Sequence, residues 1–254
     1  MEMTGRVFFV RKETSFYVLL LPRYKFEAFD YHSEKQPMVT MEGVVALLLL
    51  LILSLAALVY HLIRIQYNEA VDFSMDWNLF LSWIPLLVAY LTRVLSRGFP
   101  KNYLVTLFLS VVWLLFFPNA PYMITDLIHL SVDTGSNVTW HDTIMLFYYA
   151  QVSLINGLIS LYWIHKSWLR VFGRRWGNVL LLFSLPLAGF GIFLGRIERL
   201  NSWDILHNPT RLVKAVLTGL GDRTAVLLTF EFALLLGMLY LVLWVLLHFR
   251  LRRR

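Results

Sequence analysis

An all-α, polytopic transmembrane bundle of six spans, with both termini cytoplasmic, is the fold class this sequence predicts. Three observations predict it. The 254-residue chain is 58% hydrophobic and only 15% charged, with a mean hydropathy of +0.63. A soluble domain carries about 25% charged residues to keep its surface in water. Six apolar runs approach the roughly 20 residues needed to cross about 30 Å of hydrocarbon. Finally, cations collect in alternate connections between the runs, as orientation in a bilayer requires.

The runs are residues 43–60, 77–92 (with Pro85), 102–125, 143–164, 177–195 and 224–247, the last interrupted by Glu231. Backbone amides in hydrocarbon must be bonded within their own segment, so these are predicted helices. Arg93, Arg97 and Lys101 follow the second run. Lys166, Arg170, Arg174 and Arg175 follow the fourth, and Arg250, Arg252, Arg253 and Arg254 close the chain. Those segments are expected to be cytoplasmic. No Lys or Arg lies between Lys101 and Lys166, where Asp126, Asp133 and Asp142 fall, so that connection is expected outside. The net charge of +7 is thus an orientation signal, and nucleic acid is not an expected partner. With no cysteine, disulfides, thiolate nucleophiles and cysteine-ligated metals are excluded.

Residues 41–254 are read as the six-helix domain. Residues 1–40 are read as an N-terminal cytoplasmic appendage, because the apolar patches at 7–10 and 16–21 are too short to span. No signal-peptide pattern is evident there.

Two external stretches are unusually polar. FFPNAPYMITDLIHL (residues 116–130) ends the third run. Pro118 and Pro121 interrupt a helix, and a short helix resuming near Met123 would set Asp126 and His129 on one face. His141 and Asp142 follow at the mouth of the fourth span. LGRIERLNSWDILHNP (194–209) carries Arg196, Arg199, Asn201, Trp203 and Asp204 on what alternation makes the same side. Its cations break the orientation rule, so they either pair with acids such as Glu198, Asp204 and Asp222 or meet an anionic group.

The strings PNAPYMITDLIHL, WHD and GFGIFLGRIERLNSWDIL resemble the family of bacterial and archaeal membrane proteins called domain of unknown function 1361, from about residue 79 to the end of the sixth span. The resemblance implies a six-helix-type prokaryotic membrane protein in the cytoplasmic membrane. It implies no reaction and carries over no catalytic residue.

Each site residue also has a structural reading. Asp126 can cap a helix with His129 on a carbonyl, Asp204 can serve as third-position partner to an Asn201 cap, and Arg196 can pair with Asp126 or Glu198. Three functional readings stand beside this. In the first, Asp126, His129, His141 and Asp142 ligate a divalent metal that activates water in a hydrolase or transferase, although no HExxH or three-histidine pattern occurs. In the second, Arg196 and Arg199, with Asn201, Trp203 and Asp204, hold an anionic lipid or lipid-linked headgroup. In the third, Glu231 is the ion site of a transporter. An ionised carboxylate in the bilayer costs several kcal/mol unless paired, so Glu231 is expected to face the bundle.

Overall fold

The computed structural model describes residues 40–67, 74–99, 101–128 and 140–248. Residues 1–39 of the expected appendage, together with His129 and Asp133, lie outside the described residues. All regular structure described is helical: α1 (Met41–Tyr67), α2 (Ser74–Gly98), α3 (Tyr103–Phe116), α4 (Asn119–Tyr122), a 3-10 turn (Met123–Ile128), α5 (Trp140–Val171), α6 (Gly173–Arg196), α7 (Asp204–His207), α8 (Pro209–Gly219) and α9 (Arg223–His248). Among the described residues, six stretches are long and apolar enough to cross a membrane, and each overlaps a predicted run.

The helices outrun the apolar runs, most visibly where cations were read as loop residues. α2 continues through Pro85 to Gly98 and so contains Arg93 and Arg97, while α5 reaches Val171 and contains Lys166 and Arg170. Long cationic stems lie along apolar surface while the charge reaches outward, so such residues extend a membrane helix without ending it. Here aromatic rings take part. The Arg93 guanidinium lies 5.4 Å from the Trp163 ring centroid, and the Lys166 ammonium 5.4 Å from that of Tyr162.

α5 is the centre of the bundle. It packs against α1, α2, α3, α6 and α9 and against the α4 turn. Of its most apolar window 56% is buried, against 17% for α9, so α5 sits inside and α9 on the rim. Indole N–H groups buried in an apolar medium need acceptors, and serines supply them between helices. Trp83 donates to Ser54 (3.0 Å), Trp113 to Ser160 (3.1 Å) and Trp168 to Ser110 (2.7 Å). These bonds tie α2 to α1 and α3 to α5. Interhelical polar bonds of this kind contribute about 0.6 kcal/mol each in a membrane, so they fix register more than they drive assembly.

Close approach at two glycines sets the position of α6. A Cβ on Gly189 would lie 2.6 Å from the Thr229 carbonyl oxygen of α9, and one on Gly191 2.5 Å from Pro118 Cγ. Both glycines are therefore packing positions, and Gly191 seats α6 against the Pro118 break.

Candidate functional site

The break at the end of α3 is held by side chains from elsewhere. The last carbonyls of a helix have no partner within it, and prolines at 118 and 121 remove two of the amides that would follow. Ser202 Oγ donates to the Leu115 carbonyl (2.7 Å). Asn119 Nδ2 donates to the Phe116 carbonyl (3.0 Å) and to Ser202 Oγ (3.2 Å). The two polar stretches singled out in the sequence therefore meet, joined through Asn119 and Ser202.

After one turn of α4 the chain tightens into the 3-10 turn, where the predicted short helix begins near Met123. This turn buries Asp126 and aims it at the end of α6. Arg196 Nη1 donates to Asp126 Oδ1 (2.7 Å) and Nη2 to the Thr125 carbonyl (3.2 Å). The same guanidinium covers the Tyr122 ring at 5.6 Å. Asn78 Nδ2 approaches the other Asp126 oxygen (3.5 Å). Of the structural pairings open to Arg196, the one with Asp126 is realised.

Asp204 of the second stretch and Asp222 beyond it go to backbone amides. Asp204 Oδ2 accepts the Asn201 N–H (2.6 Å). Asp222 accepts the N–H groups of Thr224 (2.6 Å) and Ala225 (3.0 Å) at the start of α9, and those bonds hold its carboxyl below the usual range. Glu198 contributes its carbonyl, which accepts from Arg211 (2.9 Å). Arg199 is exposed and takes a left-handed backbone, φ 53°. Trp203 meets Trp77 edge-on, with centroids 6.5 Å apart.

A second cluster, which sequence reasoning did not assemble, joins α1, α2 and α5. His61 is fully buried, with Nδ1 3.0 Å from both oxygens of Asp76. A carboxylate only accepts, so Nδ1 carries the proton of that bond. Tyr149 donates its hydroxyl to Asp76 Oδ1 (2.6 Å). One turn on, Arg64 donates to Asp142 Oδ1 through Nε (3.2 Å) and Nη2 (2.5 Å), and Tyr60 donates to the His141 carbonyl (3.2 Å). Arg64 and Asp76 both fall between the first two predicted runs. The available signal was His61 and Arg64, three apart on one helical face.

Asp126 thus pairs with Arg196 and Asp142 with Arg64, while the His141 side chain is exposed. His129 lies outside the described residues. Among the described residues, no three His, Asp or Glu side chains come together at metal-ligand spacing. Glu231 corrects an expectation. It is exposed on the outer face of α9, because Ala225, Phe232, Leu236 and Tyr240 form the face that packs inward.

The family model described as "Protein of unknown function (DUF1361)" matches residues 77–242, the stretch holding α2 to α9 and both polar loops. The chain belongs to that family. The matched span contains Asp126, Asp142, Tyr149, Arg196 and Arg199, whereas His61 and Arg64 precede it. Neither a curated protein nor a solved structure matches the chain.

Proposed function

We propose that this multi-pass membrane protein of the DUF1361 family binds an anionic, lipid-associated ligand at the bundle end that carries Arg196. In this reading that end is external, both termini are cytoplasmic, and the membrane is the bacterial plasma membrane. The orientation rests on the cation-free stretch between Lys101 and Lys166.

One observation carries the ligand reading: the three aspartates near the loop cations are already committed, and Glu198 meets Arg211 through its carbonyl. Asp126 goes to Arg196, Asp204 to the Asn201 amide, and Asp222 to two amides of α9. Arg199, Arg211, Lys214 and Arg223 are exposed around them. Beside these cations Leu206, Val213, Leu217 and Leu220 are exposed as well. Pro209, Thr210, Val213, Lys214, Leu217 and Thr218 line a shallow groove along α8. An exposed apolar helix face with cations at its margin suits the boundary between acyl chains and anionic headgroups.

In this assignment Arg196 is the clasp that holds the site's shape. Arg199 and Lys214 meet the ligand, Trp203 sits at headgroup level, and Asn201 and Asp204 fix the turn. The test is native mass spectrometry of the full-length protein after solubilisation, comparing wild type with Arg199→Gly/Lys214→Gln. Loss of co-purifying anionic lipid without a fall in melting temperature is expected. Unchanged lipid occupancy together with a large fall in melting temperature would leave these cations a structural role alone.

A further inference from the structure

The outer face of α9 carries a carboxyl group that its own chain does not satisfy. Glu231 is exposed there, and among the described residues it makes no hydrogen bond or ion pair. Arg223 opens the helix, and no Lys or Arg follows before Arg250. Glu231 lies two turns further in than Arg223, about 12 Å along the axis. The 26 residues of α9 extend about 39 Å. Centred on about 30 Å of hydrocarbon, such a helix holds Glu231 about 8 Å inside. Long cationic stems can carry a charge back to the interface from that depth, and the shorter glutamate stem cannot.

The residues around Glu231 have the spacing of a helix–helix seam. Leu227, Glu231, Leu234, Met238, Leu241 and Val245 follow in alternate steps of four and three residues. All six are exposed, opposite the inward face of Ala225, Phe232, Leu236 and Tyr240. In a helix this apolar the leucines alone would mark a seam on any face. Glu231 is the residue that selects this one. A single polar residue in such a seam fixes register and the number of helices, because it must meet a partner at its own level. Between membrane helices, polar side chains act in the same way.

We propose that the outer face of α9 is a homodimer interface, where two copies of the chain pack α9 on α9 and hydrogen-bond their Glu231 carboxyl groups to each other. Acyl chains offer neither donor nor acceptor. A different membrane protein would have to bring a polar group to this depth, whereas a second copy brings one by symmetry. Copies inserted alike run their α9 helices parallel, so a two-fold axis along the membrane normal sets Glu231 against Glu231. One proton held between two carboxyl groups lets them bond where two charges would repel. The interface does not rest on the function proposed for the Arg196 end.

The experiment uses the full-length protein in its own membranes, where the absence of cysteine lets single cysteines report contacts. Leu234→Cys lies one step along the seam from Glu231. Leu55→Cys, at an exposed position of α1, is the control for chance collisions. Under mild oxidation Leu234→Cys is expected to give a disulfide-linked dimer and Leu55→Cys not. Added to Leu234→Cys, Glu231→Leu should lower the yield of dimer about tenfold, as loss of interhelical hydrogen bonding implies. Glu231→Gln should keep the dimer, because an amide both donates and accepts. Reduced and diluted to monomers in detergent, the Glu231→Leu form should melt no lower than its parent.

The proposal fails if Leu234→Cys gives no more dimer than Leu55→Cys, or if its disulfide joins it to another protein. It fails equally if Glu231→Leu leaves the dimer undiminished, since the carboxyl group then selects nothing. A lower melting temperature of the Glu231→Leu monomer would also overturn it, because that marks a role within one chain.

Discussion

Asp126 shows how much one residue's environment can matter. Its side chain is 10% exposed and Arg196's is 22%, so removing the arginine leaves a largely desolvated carboxylate. Breaking such a pair typically costs about 3 kcal/mol or more. Arg196→Ala is therefore expected to melt well below wild type. The double variant Arg196→Gln/Asp126→Asn should recover much of that loss, because no charge is stranded. Equal melting of single and double variants would dismiss the clasp. Lysine at 196 should restore only part, since one ammonium cannot reach Asp126 and the Thr125 carbonyl with the geometry of a fork. Arg199 makes the opposite case. A non-glycine residue in the left-handed region costs about 1 kcal/mol, so Arg199→Gly should raise stability by about that amount. If anionic lipid is lost in the same variant, the strained arginine is kept for its charge. The residues themselves were legible in the sequence, but their partners were not. Nothing local tells Arg196 to choose Asp126, 70 positions away, over Glu198.

Among the elements, α6 depends on its small face. A methyl at residue 191 would sit 2.5 Å from the rigid Pro118 ring, and a ring cannot swing aside as a long side chain can. Gly191→Ala is expected to destabilise by about 1–3 kcal/mol and to loosen the Arg196 contact, because the same seating positions the end of α6. Thermal melting of this variant beside Arg196→Ala checks the link, and a neutral Gly191→Ala would remove it. The start of α9 has a pH signature. Asp222 accepts two amides in the folded protein, which lowers its carboxyl pKa below the ordinary value. Its contribution is present above the unfolded carboxylate pKa and is lost as pH falls through the depressed folded one. Melting of wild type and Asp222→Ala should therefore differ at neutral pH and converge in acid. A gap that persists in strong acid would show that the charge is not the source.

For the whole molecule, orientation can be read by labelling, which the absence of cysteine makes clean. Thr210→Cys at the Arg196 end and Arg175→Cys at the other are both exposed. Thr210→Cys is expected to react with an impermeant maleimide from outside the cell, and Arg175→Cys only after lysis. The reverse pattern would invert the topology and with it the external placement of the Arg196 end. Ser167, an obvious choice from sequence, is fully buried and donates to the Trp163 carbonyl. Silence there would say nothing about sides.

The sequence by itself determined the solvent and the number of crossings. Hydrocarbon admits only internally bonded backbone, so run length and composition suffice to find six helices. It also marked the stretch around Pro118 and the Arg196 loop as unusual, since proline and charge are conspicuous against an apolar background. Tertiary structure alone decided which charges meet. It drew His61, Asp76 and Tyr149 into one cluster from three helices. It also turned Glu231 outward, against the expectation from its cost in lipid. The reason is physical. Period and composition report how each helix faces its solvent, whereas pairing depends on which helices neighbour one another and at what rotation. Here the contacts of α5 and the close approaches at Gly189 and Gly191 set those neighbours and rotations.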